Sequence, residues 1–128
     1  MATQAVTLHA SAARTADGVG PTIDCGGAAQ INTLRLTLDV TANTADGRAL
    51  PPGTPGVAPI FSVYIETSPD TVAWRDVSHF THGSAIRSER LSVDGFDRYV
   101  RCRYQLAPWN GPNGYPVGVT FAVTGDGA

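Results

Sequence analysis

The chain has 128 residues, with 9 basic and 11 acidic side chains and a formal net charge of −2. This length predicts a single domain, residues 1–128, that buries roughly two thirds of the surface of the unfolded chain. The acidic balance offers no basic excess for nucleic-acid phosphates, and no segment approaches the ~20 apolar residues of a membrane-spanning helix. We therefore expect no nucleic-acid partner and no membrane partner.

The first part of the chain contains short runs with the alternation of β-strands. In QAVTLHASAA, Val6 and Leu8 alternate with Thr7 and His9. A turn in ARTADGVG leads to a short second strand in PTIDCG, and 14 glycines and 9 prolines interrupt the chain throughout, which disfavours long helices. The clearest strand is TLRLTLDVTAN, whose predicted inward positions are Leu34, Leu36, Leu38 and Val40.

A proline- and glycine-rich segment, TADGRALPPGTPGVAP, separates this strand from the next and is a candidate contact loop. The strand IFSVYIET then directs Tyr64 and Glu66 outward, and Ser68-Pro69-Asp70 forms a turn. The returning run VAWRDVSHF alternates imperfectly, which predicts a bulge near Trp74. The predicted inward positions of IFSVYIET are Phe61, Val63, Ile65 and Thr67.

Three more strands complete the predicted fold. The polar stretch THGSAIRSER leads to RLSVDGF, and DRYVRCRYQL follows. A second irregular loop, APWNGPNGYP, precedes the last strand, VGVTFAVTG. About eight strands without a helix, an internal repeat or a linker predict an all-β protein, an antiparallel β-sandwich of the jelly-roll type. The predicted inward positions of DRYVRCRYQL are Val100, Cys102, Tyr104 and Leu106.

The two cysteines, Cys25 and Cys102, both occupy predicted inward positions. A disulfide that closed so long a loop would stabilise the protein by roughly 4 kcal/mol in the chain-entropy model. The N-terminal MATQAVTLHASAAR lacks the pattern of a signal peptide, so we expect synthesis in a cytoplasm, which favours two buried free thiols.

The sequence contains no recognisable catalytic constellation. His9, His79 and His82 are predicted to be surface or loop histidines, and the spacing in HFTH would direct His79 and His82 to opposite faces of a strand. Asp94 and Asp97 flank a turn, and we favour turn capping over a calcium site for them. We predict no enzyme activity, no cofactor and no bound metal.

Arginines form the most suggestive surface feature. Arg98, Tyr99, Arg101 and Arg103 lie on or near the outer face of one predicted strand, with Arg87 and Arg90 just upstream. The row is either a solvated polar face or a docking face for an acidic protein surface, where arginine and tyrosine are favoured anchors.

A second candidate contact is the loop PWNGPNGYP, which carries Trp109 and Tyr115 on a proline-stiffened backbone. These two aromatic side chains are candidates for a carbohydrate platform, an intersubunit contact, or lids over one end of the sandwich.

Two resemblances add to this interpretation. VYIETSPDTVAWRDV followed by FDRYVRCRYQL resembles a motif pair of discoidin-type, galactose-binding-like β-sandwiches, in which the tryptophan and the Tyr-Val pair belong to the core. By that resemblance we expect Trp74 to fill one end of the core, so that the hairpin around Ser68-Pro69-Asp70 serves chiefly the fold.

The chain as a whole resembles small phage proteins encoded near capsid genes. The matching motifs, in order, are SAART at Ser11 to Thr15, LDVTA at Leu38 to Ala42, TSPDTVAW, DRYVRCRY and TFAVTG. The chain departs from that pattern in Thr71, where the group has glycine, and in a longer insertion from Arg48 to Pro59.

The phage resemblance implies a virion structural protein made in the host cytoplasm. It points to a capsid decoration protein that docks on the major capsid protein as a homo-oligomer, with a trimer favoured. Head–tail connector or tail components and carbohydrate-binding modules are the alternative functions.

Overall fold

The structure, a computed structural model, describes residues 4–14, 17–26, 30–43, 60–82, 87–107 and 119–128. No residue in these ranges is helical, and no helix long and apolar enough to cross a membrane occurs among them. Nine strands make up the fold: β1 (Gln4–Arg14), β2 (Gly18–Val19), β3 (Ile23–Asp24), β4 (Leu34–Asn43), β5 (Ile60–Ser68), β6 (Arg75–His79), β7 (Arg87–Val93), β8 (Tyr99–Ala107) and β9 (Val119–Gly127).

The strands form two antiparallel sheets. The first sheet has the order β1-β9-β4-β7, and the second has the order β2-β8-β5-β6 with β3 also paired to β8. The two-residue strands β2 and β3 pair with the same strand, so they act as two halves of one interrupted strand. With them counted as one, successive strands of the eight change sheet at every step except from β5 to β6, which pair with each other. This is the jelly-roll arrangement, which confirms the predicted fold class.

The core lies between the two sheets and follows the predicted alternation. The four inward residues of β4 are buried, and so are Phe61, Val63, Ile65 and Thr67 of β5. Val100, Cys102 and Tyr104 of β8, which lies beside β5 in the second sheet, are buried as well. Tyr64, Arg101 and Arg103 alternate with these residues and point away from the core, as predicted. The predictions for Leu106, the insertion from Arg48 to Pro59, Trp109 and Tyr115 lie outside the side chains that the structure describes.

Strand β6 differs from its prediction in length and in the place of its bulge. It begins at Arg75, because the turn after β5 extends through Ala73. Its pairing with β5 shifts between Ile65 and Glu66, so that Val77 is the extra residue of a bulge. Trp74 therefore precedes the strand and is absent from the buried core, and the prediction that it fills one end of the core is wrong.

His9 is a core residue, which corrects the prediction of a surface or loop histidine. Its ring is 1% exposed and stacks on Phe121 with the ring centroids 3.9 Å apart. Nδ1 donates to the Phe121 carbonyl at 3.1 Å, and Nε2 accepts from Nε of Arg14 at 2.9 Å. A guanidinium only donates, so the ring is neutral with its proton on Nδ1. Burial lowers the pKa of His9 below its usual 6.5, and the charge of Arg14 lowers it further.

The two cysteines are buried and free, as favoured from the sequence. The backbone N–H of Cys25 bonds the carbonyl of Arg98 at 2.7 Å, and Arg98 lies four residues before Cys102. At the rise of a strand this separation is about 13 Å, whereas a disulfide needs Cα atoms within about 7 Å.

The neutral state of His9 predicts a loss of stability in mild acid. The unfolded chain takes up a proton near pH 6.5, whereas folded His9 does so at lower pH. Its contribution is therefore complete above about pH 6.5 and is lost as the pH falls from there to the folded pKa. We expect the free energy of unfolding, measured with urea, to fall less between about pH 7 and 5.5 for His9→Phe than for the wild type. The phenylalanine keeps a stacked ring but cannot titrate. Equal losses in the two proteins would contradict this assignment.

Burial also predicts that both thiols are unreactive in the folded protein. It raises the pKa of Cys25 to about 11, with a further contribution from the charge of Asp24, and that of Cys102 to about 12. The thiolate is the nucleophile, so a disulfide reagent at about pH 8 should label neither cysteine until denaturant unfolds the chain. Rapid labelling of one thiol under native conditions would show that its side chain is accessible.

Candidate functional site

The outer face of the second sheet gathers the arginines and aromatic residues that the sequence singled out. Antiparallel pairing places Arg101 opposite Glu66 and Glu66 opposite Asp76. One row along, Arg103 lies opposite Tyr64. We term this surface the arginine face and define it by Tyr64, Glu66, Trp74, Asp76, Arg101 and Arg103.

Glu66 is the centre of an ion-pair network on the arginine face. Nε of Arg101 donates to Oε1 of Glu66 at 3.2 Å, and Nε of Arg103 lies 3.7 Å from Oε2. Nη2 of Arg103 also donates to both carboxylate oxygens of Asp76 at 3.2 Å. The side chain of Glu66 is 10% exposed, against 51% for Asp76, so Glu66 is the nearly buried charge of the network.

An aromatic ring also packs against the guanidinium group of each of these two arginines. The guanidinium carbon of Arg101 lies 3.9 Å from the centroid of Trp74, and that of Arg103 lies 4.1 Å from the centroid of Tyr64. These are cation–π contacts, in which the negative face of the ring attracts the guanidinium. Trp74 therefore packs on an arginine outside the core, and this contact replaces the core role expected for it.

The turn between β5 and β6 fixes the position of Trp74. The hydroxyl of Ser68 accepts bonds from the backbone N–H groups of Asp70 and Thr71. Oδ1 of Asp70 accepts from the N–H groups of Val72 at 2.9 Å and Ala73 at 3.0 Å, and these bonds lower the pKa of Asp70. The indole N–H of Trp74 then donates to the Thr71 carbonyl at 3.1 Å.

Thr71 occupies a backbone conformation that glycine adopts more readily. Its φ of 67° lies in the left-handed region, which costs a side chain-bearing residue about 1–2 kcal/mol. The backbone N–H of Thr71 donates to the Ser68 hydroxyl and its own hydroxyl donates to the Asp70 carbonyl, and these bonds offset the strain.

The other members of the predicted arginine row are also paired. Arg98 forms a bidentate pair with Asp24, at 3.0 and 2.9 Å, and its guanidinium lies 5.1 Å from the ring centroid of Tyr99. These bonds lower the pKa of Asp24 and raise that of Arg98. Arg98, Arg101 and Arg103 therefore each pair with a carboxylate of the chain.

Arg87 and Arg90 do not join the arginine face, because both belong to β7 in the first sheet. Nε of Arg87 pairs with Glu89 at 3.2 Å, near one end of the sandwich. The sequence places them close to the row along the chain, but the crossover between the sheets separates them from it.

The two histidines of HFTH lie on the same side, and the prediction of opposite faces is wrong. Their rings stack with centroids 4.8 Å apart and an interplanar angle of 8°. Strand β6 ends at His79 and the next residue, Phe80, is buried, so strand alternation no longer governs His82.

Of the two aspartates near Gly95, Asp97 forms an ion pair in the described part of the chain. Asp97 pairs with Arg75 at 3.4 Å, and Gly95 has a φ of 69°, which suits a tight turn. Among the described residues, no group of three or more histidine, cysteine or acidic side chains is placed to hold a metal ion.

Comparison of the chain with models of protein families, with curated proteins and with solved structures finds no match. The binding properties of the arginine face follow from its own geometry and charge. Two arginines and two carboxylates balance, so the face is not a basic patch. It offers fixed guanidinium and aromatic edges, which are the side chains most often found at the energetic centres of protein interfaces.

The network predicts unequal effects for its two carboxylates. Glu66→Gln leaves two half-buried guanidinium groups facing a neutral amide, and we expect it to lower the free energy of unfolding by about 2 kcal/mol. The matched change Asp76→Asn removes an exposed partner and should cost less than about 1 kcal/mol. Urea unfolding of the two variants gives the comparison. A cost for Asp76→Asn equal to or above that of Glu66→Gln would show that Glu66 is not the centre.

Proposed function

We propose that the chain is a non-enzymatic structural protein of a tailed-phage virion, and that it docks on the outer capsid as a decoration protein. The observation that carries this proposal is the ordered set of sequence motifs that resemble the phage proteins, on a jelly-roll fold. Residues 11–14 of the first motif lie on β1 and LDVTA lies on β4, and these two strands are the neighbours of the strand that carries TFAVTG. TSPD and RYVR meet where β5 pairs with β8, with Ser68 opposite Tyr99.

In this arrangement, motifs that are scattered along the chain lie on hydrogen-bonded neighbouring strands. The jelly roll is also an architecture that viral capsid and lectin domains use. Fold alone does not give function, so the proposal depends on the ordered motifs together with this fold.

The arginine face is the docking surface that we propose for the capsid. Glu66 and the rings of Trp74 and Tyr64 hold Arg101 and Arg103 in place before any partner binds. Pre-ordered side chains lose less conformational entropy on binding, which favours affinity. A decoration protein held in this way would bury area across the seams between capsomers, and a homo-oligomer, with a trimer favoured, would contact several capsomers at once.

The proposal is tested by sedimentation of the purified protein with capsids that lack it, from the phage that encodes it. We expect the wild type to pellet with the shells and to appear as density on their outer surface by cryo-electron microscopy. Arg101→Lys with Arg103→Lys keeps both charges but loses the planar fork and its stacking, and should weaken binding about tenfold. Arg75→Lys with Arg98→Lys is the matched control, because these guanidinium groups pair with Asp97 and Asp24 and take no part in the Glu66 network.

The other outcomes separate the alternatives. Failure of the wild type to pellet would reject the decoration role. Ring-shaped oligomers by electron microscopy would then favour a connector or tail component, and specific retention on a glycan array would favour a carbohydrate-binding module. Equal binding by the lysine variant and its control would reject the arginine face as the docking surface and would leave the decoration role standing.

A further inference from the structure

Two arginines stand apart from all the others that the structure describes. Six of the eight described arginines contact a histidine or a carboxylate of the chain, namely Arg14, Arg75, Arg87, Arg98, Arg101 and Arg103. The guanidinium groups of Arg35 and Arg90 have no hydrogen bond or ion pair within the described ranges. Both residues are exposed.

Arg35 and Arg90 lie close together on the outer face of the first sheet, opposite to the arginine face. Pairing of β4 with β7 places Arg35 across from Ser92 and Thr37 across from Arg90. The two arginines are therefore diagonal neighbours on adjacent strands, about 7–8 Å apart at the backbone. The fold thus holds two like charges on one small area, and neither forms an ion pair with a described side chain.

The absence of compensation at this position contrasts with the arginine face. There, Arg101 and Arg103 are also near neighbours, but Glu66 and Asp76 neutralise them. On the first sheet, Asp126 of β9 lies directly opposite Arg35 in the pairing, yet the two side chains form no ion pair. The two like charges at diagonal positions repel each other, and an external anion would relieve this repulsion.

An open depression of about 410 Å³ lies between these side chains. Its polar lining consists of Arg35, Thr37, Arg90, Ser92 and Asp126, with the backbone of Gly125. The lining therefore combines two guanidinium groups and two hydroxyls with one carboxylate. It carries a local positive charge in a protein whose net charge is −2.

We propose that this depression, which we term the Arg35–Arg90 site, binds carboxylate side chains of an acidic segment of a partner protein. Each guanidinium fork matches a carboxylate with two parallel hydrogen bonds, and the hydroxyls of Thr37 and Ser92 are further donors. A protein partner is favoured over nucleic acid because two free cations on an acidic chain give little attraction to a run of phosphates. This inference does not depend on a role in a virion.

An oligoglutamate peptide is the probe, and its glutamine analogue is the neutral control. Titration of the isotope-labelled protein should shift the amide resonances around Arg35, Arg90 and Asp126, and leave those of β8 in place. Arg35→Gln with Arg90→Gln should raise the dissociation constant about tenfold or more. Arg75→Gln with Arg98→Gln removes the same net charge elsewhere and should change it less than about twofold. The resonance spectra of the variants establish that each one is folded.

Each other outcome would overturn the proposal. These outcomes are no binding by the wild type, equal binding of the glutamine peptide, equal weakening by the two double variants, or shifts centred on β8. Tighter binding of a single-stranded oligonucleotide of equal charge would replace the acidic protein segment with nucleic acid as the partner.

Discussion

Strand β8 imposes the constraint on which most of the second sheet depends. It pairs with β5 along nine residues and with β2 and β3 on its other edge, so it joins every part of that sheet except β6. Strict alternation sends Val100, Cys102 and Tyr104 into the core and Arg101 and Arg103 to the opposite face. A shift of one residue would bury two guanidinium groups and expose the core, so the hydrophobic core and the arginine face fix the same register.

The arginine face stabilises the fold whether or not a partner binds it. Glu66 is nearly buried, and without Arg101 and Arg103 the burial of its charge would lower the free energy of unfolding. The same bonds that stabilise Glu66 remove the free charge that an acidic partner would seek. Recognition at this face would therefore depend on shape and on fixed guanidinium and aromatic edges more than on long-range attraction, and mutation of its arginines changes stability and binding together.

The alternation of apolar and polar residues predicted the features that depend on one strand at a time. The inward faces of β4, β5 and β8 and the jelly-roll class follow from a period of two between turns. The positions of His9 and Trp74 do not, because each depends on a residue distant in sequence: Phe121 for His9 and Arg101 for Trp74. The pairing of the arginines required the register of β5 against β8 and β6. A complementary signal was present in the outward Tyr64-x-Glu66 and Arg101-x-Arg103, but sequence alone does not place these strands side by side.

The two faces of the sandwich differ in a way that bears on how such a protein would join two partners. The arginine face is neutral and pre-ordered, whereas the Arg35–Arg90 site holds two cations that form no ion pair with a described side chain. A partner with acidic side chains would be drawn to the first sheet and a partner with complementary shape to the second. The sandwich between them is a rigid core of interdigitated side chains, so two bound partners would be held at a fixed separation. Because the two surfaces differ in chemistry and lie on opposite sides of the sandwich, two partners could bind them without competing for one site.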